Sequence, residues 1–156
     1  MRIRLGIGLR GACCVGALMV ALAPCLACAA LGEPESSVAG DVQQLEGSIK
    51  ATQRANYRVH EIQLPSGTVL REFATEGGTV FAVAWSGPMM PNLRQALGHY
   101  FDAYVAAAQA TQGGRHHFQM KQGDLVIQSG GHMRRFSGRA YLPQAVPAGV
   151  SVDELH

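Results

Sequence analysis

Thr79-Val80-Phe81-Ala82-Val83-Ala84-Trp85 is the stretch on which the fold turns. Apolar residues occupy both of its alternating faces, and such a strand belongs in the interior of a sheet covered on both sides. Just upstream, 57–64 and 68–75 are also rich in Val, Ile, Thr and aromatic residues. They are punctuated by Pro65-Ser66-Gly67 and Glu76-Gly77-Gly78, which predicts a three-strand meander over 57–86. With Ser66-Gly67 as a two-residue loop, Leu64 faces Val69, Ile62 faces Arg71, His60 faces Phe73 and Glu61 stands opposite Glu72.

Downstream, Leu93, Ala96, Leu97, Tyr100, Phe101, Tyr104, Val105 and Ala108 recur at spacings of three and four. This predicts one long helix over 92–111, stopped by Gly113-Gly114, whose apolar stripe covers a sheet face. Three further strands, 115–121, 124–129 and 132–141, form a second meander over 115–141 with turns at Gln122-Gly123 and Gly130-Gly131. In that register Met120, Phe118 and His116 lie opposite Leu125, Ile127 and Ser129, and these opposite Phe136, Arg134 and His132. Upstream, 30–55 is polar, with one short helix carried by Val38, Val42, Leu45 and Ile49. The expected fold is therefore α+β: an antiparallel sheet of about six strands in two meanders, packed by one long helix. Residues 56–142 form its single domain, and 143–156 read as an irregular tail without a core pattern.

The first 29 residues read as an export signal, because Arg2, Arg4 and Arg10 precede an apolar run over 11–23 closed by Pro24 and small residues. Ala27-Cys28-Ala29 sets the expected cut after Ala29, giving a periplasmic or secreted protein. The apolar run is short of the ~20 residues of a membrane-spanning helix. Retention of Cys28 as a lipidated first residue is the rival, but Cys25 stands where the lipoprotein pattern wants an aliphatic side chain. All four cysteines lie before residue 30, so the mature chain is thiol-free. Residues 30–156 keep 10 of the 13 basic side chains and all 11 acidic ones, so the net charge of +2 becomes −1. That balance excludes an overall basic footprint for nucleic acid.

Histidines are the first candidates for chemistry. His116 and His132 share a face in the expected register, yet two strands apart, and a common metal ion would need both rings to lean over Ser129. His60-Glu61 with Glu72 could supply paired carboxylates, but His60 and Glu61 point to opposite faces. No G-x-S-x-G elbow, no G-x-G-x-x-G set between a strand and a helix, and no G-x-x-x-x-G-K-[ST] occurs. The candidate contact surface is Gly87-Pro88-Met89-Met90-Pro91, where two flexible thioethers sit on a Pro-braced loop. The competing expectation is that Met89 and Met90 fold back as a lid on Trp85 and the helix start.

Taken together, Ala30-Leu31-Gly32, Val59-His60-Glu61, Ser66-Gly67-Thr68, Arg71-Glu72-Phe73 and 80–85 with Gly87-Pro88 resemble a family of short exported proteobacterial proteins of unknown function. Pro91, Leu93, Leu97-Gly98, Tyr100-Phe101 and Gly138-Arg139-Ala140 extend the likeness. The resemblance implies export and a shared fold, and it assigns no activity. Residues and resemblance favour a non-enzymatic binding or accessory module of the cell envelope over an enzyme. It would work without a cofactor, nucleic acid or transmembrane span, on an envelope protein or component, through Met89, Met90 and Trp85. The alternatives are a small periplasmic hydrolase or isomerase using a His–carboxylate pair, and a metal-binding protein using His116 and His132.

Overall fold

The computed structural model describes residues 30–110 and 117–156. The expected leader, the Gly113-Gly114 helix stop and His116 lie outside the described residues. A 3-10 turn at Glu35–Ser37 leads into α1 (Val38–Gln44), followed by β1 (Ser48–Gln53), β2 (Tyr57–Gln63), β3 (Val69–Thr75) and β4 (Val80–Gly87). Next come α2 (Leu93–Leu97), a 3-10 turn at Gly98–Tyr100 and α3 (Phe101–Ala110). Strands β5 (His117–Gln122), β6 (Leu125–His132) and β7 (Arg135–Tyr141) precede a last 3-10 turn at Val152–Glu154.

The strands make one antiparallel seven-stranded sheet in the order β1-β2-β3-β4-β7-β6-β5. The protein is therefore mostly β, not a sheet of about six strands packed by one long helix. The 79–85 run lies in β4, the central strand, as its two apolar faces require. Strand β7, rather than β5, pairs with β4, so the second meander runs back from the far edge to the centre.

Three local causes account for the differences. The expected N-terminal helix stops at Gln44, because Glu46 takes φ 51° and Gly47 packs its bare Cα against Ile62. Ile49 then falls in β1, a strand exposed at all six positions, where no buried face imposes a period-two pattern. The expected long helix breaks at Gly98, which has φ 52° and lies so close to Ala30 that a Cβ would collide with it. The β2–β3 loop has three residues, closed by Leu64 N–H to Thr68 O at 2.9 Å with Gly67 at φ 82°. That one-residue slip pairs His60 with Glu72 and Glu61 with Arg71, moving every side chain of the expected pairing to a new partner.

The second meander slips by even steps, so its faces survive. Its turns are at Gly123-Asp124 and Met133-Arg134, and Gly130-Gly131 continue β6. There, a Cβ on Gly131 would fall 2.8 Å from Phe136 Cα, so the glycine serves close strand approach instead of a turn.

The register defines two faces. On one, the row Ile49, Ile62, Leu70, Trp85, Gly138, Ser129, Phe118 crosses all the strands beside the row Ala51, His60, Glu72, Val83, Ala140, Ile127, Met120. Leu31, Val38, Leu93, Ala96 and Leu97 cover this face and complete the larger core. Tyr100 fixes the helical segment to the β5–β6 turn by donating its phenol O–H to Asp124 at 3.0 Å. Burial and the neighbouring Asp124 carboxylate hold that phenol above its ordinary pKa.

On the other face, the row Thr52, Val59, Phe73, Ala82, Tyr141, Val126, Lys121 is covered by the chain after β7. Phe81 is the extra residue of a bulge between the Phe73–Ala82 and Ala74–Val80 pairs, and it joins the same cluster. The tail thus has a core role that its sequence does not announce: Val146, Val150 and Val152 pack on this face and Leu155 is fully buried. Leu142 N–H to Phe81 O at 2.9 Å and Arg139 to Val152 O at 2.5 Å hold it down.

Candidate functional site

Trp85 and the two methionines part company in the structure. Trp85 is 2% exposed and lies on the helix-covered face, where its ring passes over Gly138. A Cβ at 138 would come within 2.7 Å of the indole Cε2, so the ring needs glycine beneath it. Its Nε1 has no hydrogen-bond partner among the described residues. Met89 and Met90, by contrast, are 58% and 42% exposed.

The loop that carries them is held rigidly. The hydroxyl of fully buried Thr68 donates to Met89 O at 2.7 Å and accepts from Met89 N–H at 3.3 Å. Gly87 packs directly on Thr68, Pro91 is buried, and Asn92 caps α2 by accepting from Gln95 N–H at 3.4 Å. Fixed backbone under flexible thioethers gives an adaptable apolar tip with little backbone ordering left to lose on contact.

Among the described residues the histidines do not assemble into a ligand set, and His116 lies outside them. His132 ends β6 exposed and opposite Arg135, a poor neighbour for a cation. Ser129 pairs with Phe118 and Gly138, so His132 is not its cross-strand neighbour. Among the described residues, no group of three or more His, Cys, Asp or Glu is placed to hold a metal ion.

A polar cluster that the sequence reading missed sits on the helix-covered face at β2. Glu35 Oε1 accepts from Arg58 at 2.5 Å and lies 2.6 Å from His60 Nε2. Glu35 is brought there by the Pro34–Thr79 bridge and by its own N–H donating to Gly78 O at 2.8 Å. Burial pushes its carboxyl pKa up, but the hydrogen bonds and charges of Arg58 and His60 outweigh this and hold it below the usual carboxylate value. The ionised Glu35 is acceptor-only, so His60 Nε2 carries the proton between them. Glu72, fully buried, stands across from His60 in register, whereas Glu61 faces outward and accepts from Arg71 at 2.8 Å.

This cluster clamps the N-terminal segment to the sheet. Chemically it is one imidazole whose Nε2 is committed to a carboxylate, and that carboxylate is shared with a guanidinium. His99 and Glu33 also approach each other, 3.8 Å apart, with side chains 59% and 44% exposed. The signal for Glu35 was weak, because its partners lie 23 and 25 residues away.

Two depressions flank β1, one on each face of the sheet. Val38, Ala39 and Val42 with Ile49 line the first, above Glu35 and His60. Lys50, Thr52, Arg54, Arg71 and Phe73 line the second, with Glu61 and Glu154 at its sides.

No helix among the described residues is long and apolar enough to cross a membrane. No curated protein and no solved structure matches the chain. Over residues 27–155 the sequence matches the family described as Protein of unknown function (DUF2844), and the chain belongs to that family.

Proposed function

We propose that this chain is exported to the cell envelope and serves there as a non-enzymatic module that binds a partner protein through the 89–91 loop. The observation that carries the reading is the Met89–Met90 tip, two exposed thioethers on a backbone pinned by Thr68. Export rests on the basic, apolar and small-residue order of residues 1–29.

A photo-crosslinking amino acid placed at 89 or 90 in the full chain tests the contact in living cells. Met133, 93% exposed in the β6–β7 turn, is the control position. A discrete adduct from 89 and 90 that is missing from 133 supports the reading. No adduct, or the same adducts from all three, contradicts it. Release by osmotic shock supports export, retention with the cytosol contradicts it, and membrane retention lost on Cys28→Ala marks the lipidated form.

A further inference from the structure

Strand β1 closes one end of the sheet and pairs with β2 alone. Alternate residues of such a strand turn their N–H and C=O groups away from the sheet, where they form a template for another chain. Proteins blunt such edges with proline, inward charges or bulges. Ser48-Ile49-Lys50-Ala51-Thr52-Gln53 has no proline and one charge, its pairing with β2 runs without a register shift, and all six residues are exposed.

The two sides of this edge differ in chemistry. On the helix-covered side, Ile49 is 45% exposed and continues the apolar walls of Val38, Ala39 and Val42. On the tail side, Lys50, Arg54 and Arg71 face a depression whose carboxylates are Glu61 and Glu154. Arg71 already holds Glu61 at 2.8 Å, which leaves Lys50 and Arg54 against the carboxylate of Glu154, two cations to one, and biases this side toward a negatively charged partner. Successive residues of an added strand point alternately to these two environments.

We infer that β1 accepts an extended segment of a partner protein, added as an eighth strand, in which apolar residues facing Val38, Val42 and Ile49 alternate with acidic residues facing Lys50 and Arg54. Main-chain hydrogen bonds supply affinity and the alternation supplies selectivity. The inference goes beyond the binding reading above, which concerns the 89–91 loop: it adds a second contact at β1 and names the chemistry of the segment bound there.

The test uses the cleaved protein and a fluorescent, end-blocked peptide of alternating Val and Glu, read by anisotropy. Saturable binding is expected. It should weaken by about tenfold when the N–H groups along one peptide edge are methylated, which removes strand hydrogen bonds and keeps the side chains. Lys50→Glu with Arg54→Glu should weaken it by a similar factor and transfer preference to the Val–Lys peptide. Loss of binding on N-methylation of either edge alone fixes which edge docks. Absence of saturable binding, equal binding of the form methylated along both edges, or a stable dimer of this chain with β1 at its interface overturns the inference. Crosslinks from 89 and 90 that persist in the Lys50→Glu, Arg54→Glu variant would leave the binding module standing while the edge fails.

Discussion

One face of the sheet is closed by the N-terminal segment and the broken helix, the other by an irregular tail, and the two closures bury different things. The helix-covered face carries Trp85, Leu70 and Ile62 in one row, yet its next row admits His60 and the fully buried Glu72 beside Val83 and Ile127. The tail-covered face buries an aromatic group, Tyr57, Phe73 and Phe81, with ring centroids 6.1 to 6.2 Å apart. Beside that group the row Lys50, Glu61, Arg71, Ala84, Arg139, Gln128, Gln119 is polar at every position but the buried Ala84. A regular layer spans the width of a sheet, whereas a tail covers a stripe. On the first face the Glu35 carboxylate satisfies the buried His60 Nε2 with a hydrogen bond at 2.6 Å.

The largest effect should come from Gly138→Val, which forces atoms into the space of the Trp85 ring. It is expected to destabilise the protein by about 3 kcal/mol, read as a lower urea midpoint. Leu155→Ala, on the tail-covered face, should lower stability by about 2 to 3 kcal/mol. A loss under about 0.5 kcal/mol would mean that the tail is a surface strap and that the second core closes without it.

Next comes Glu35→Gln, expected to lower stability by about 1 to 3 kcal/mol at pH 7, since a hydrogen bond to a charged group is lost within a largely buried site. The sign of its pH dependence follows from the depressed carboxyl. The contribution is fully present above the ordinary value of 4.5 and is lost as pH falls through the lower value of the folded protein. Acid unfolding curves of Glu35→Gln should therefore be flatter on that limb than those of the parent. Arg71→Ala breaks a pair whose side chains are 27% and 43% exposed, and a change of only about 0.2 to 1 kcal/mol is expected. Met89→Ser with Met90→Ser should shift stability by less than about 0.5 kcal/mol while removing the crosslink, separating contact from folding.

What the sequence disclosed followed from burial. The 79–85 run is legible as the central strand because both of its faces are buried, and the face of Met120, Leu125 and Ile127 is legible because its register slips are even. Strand β1 is silent because none of its side chains is buried, so Ile49 fell into a helical spacing with Val38, Val42 and Leu45. The tail is silent for a different reason. Its apolar residues, Val146 before Pro147 and Val150, Val152 and Leu155 after Gly149, dock irregularly and follow neither period.

The site residues divide along the same line. Exposure of Met89 and Met90 is in keeping with a Pro-braced loop, whereas Trp85 is drawn inward by the space at Gly138, more than 50 residues away. The Glu35–His60 contact escapes any local reading because an N-terminal turn reaches a strand across the fold. One extra loop residue at 65–67 then set Glu72, in place of the expected Phe73, across from His60.

Amide-resolved hydrogen exchange of the free protein addresses the open edge most directly. Along residues 48–53 every second amide, the set that does not donate to β2, should exchange at nearly solvent rates while the intervening amides and those of β4 are protected. Protection of all six, meaning an edge already covered, or of none, meaning no strand at all, would contradict the account.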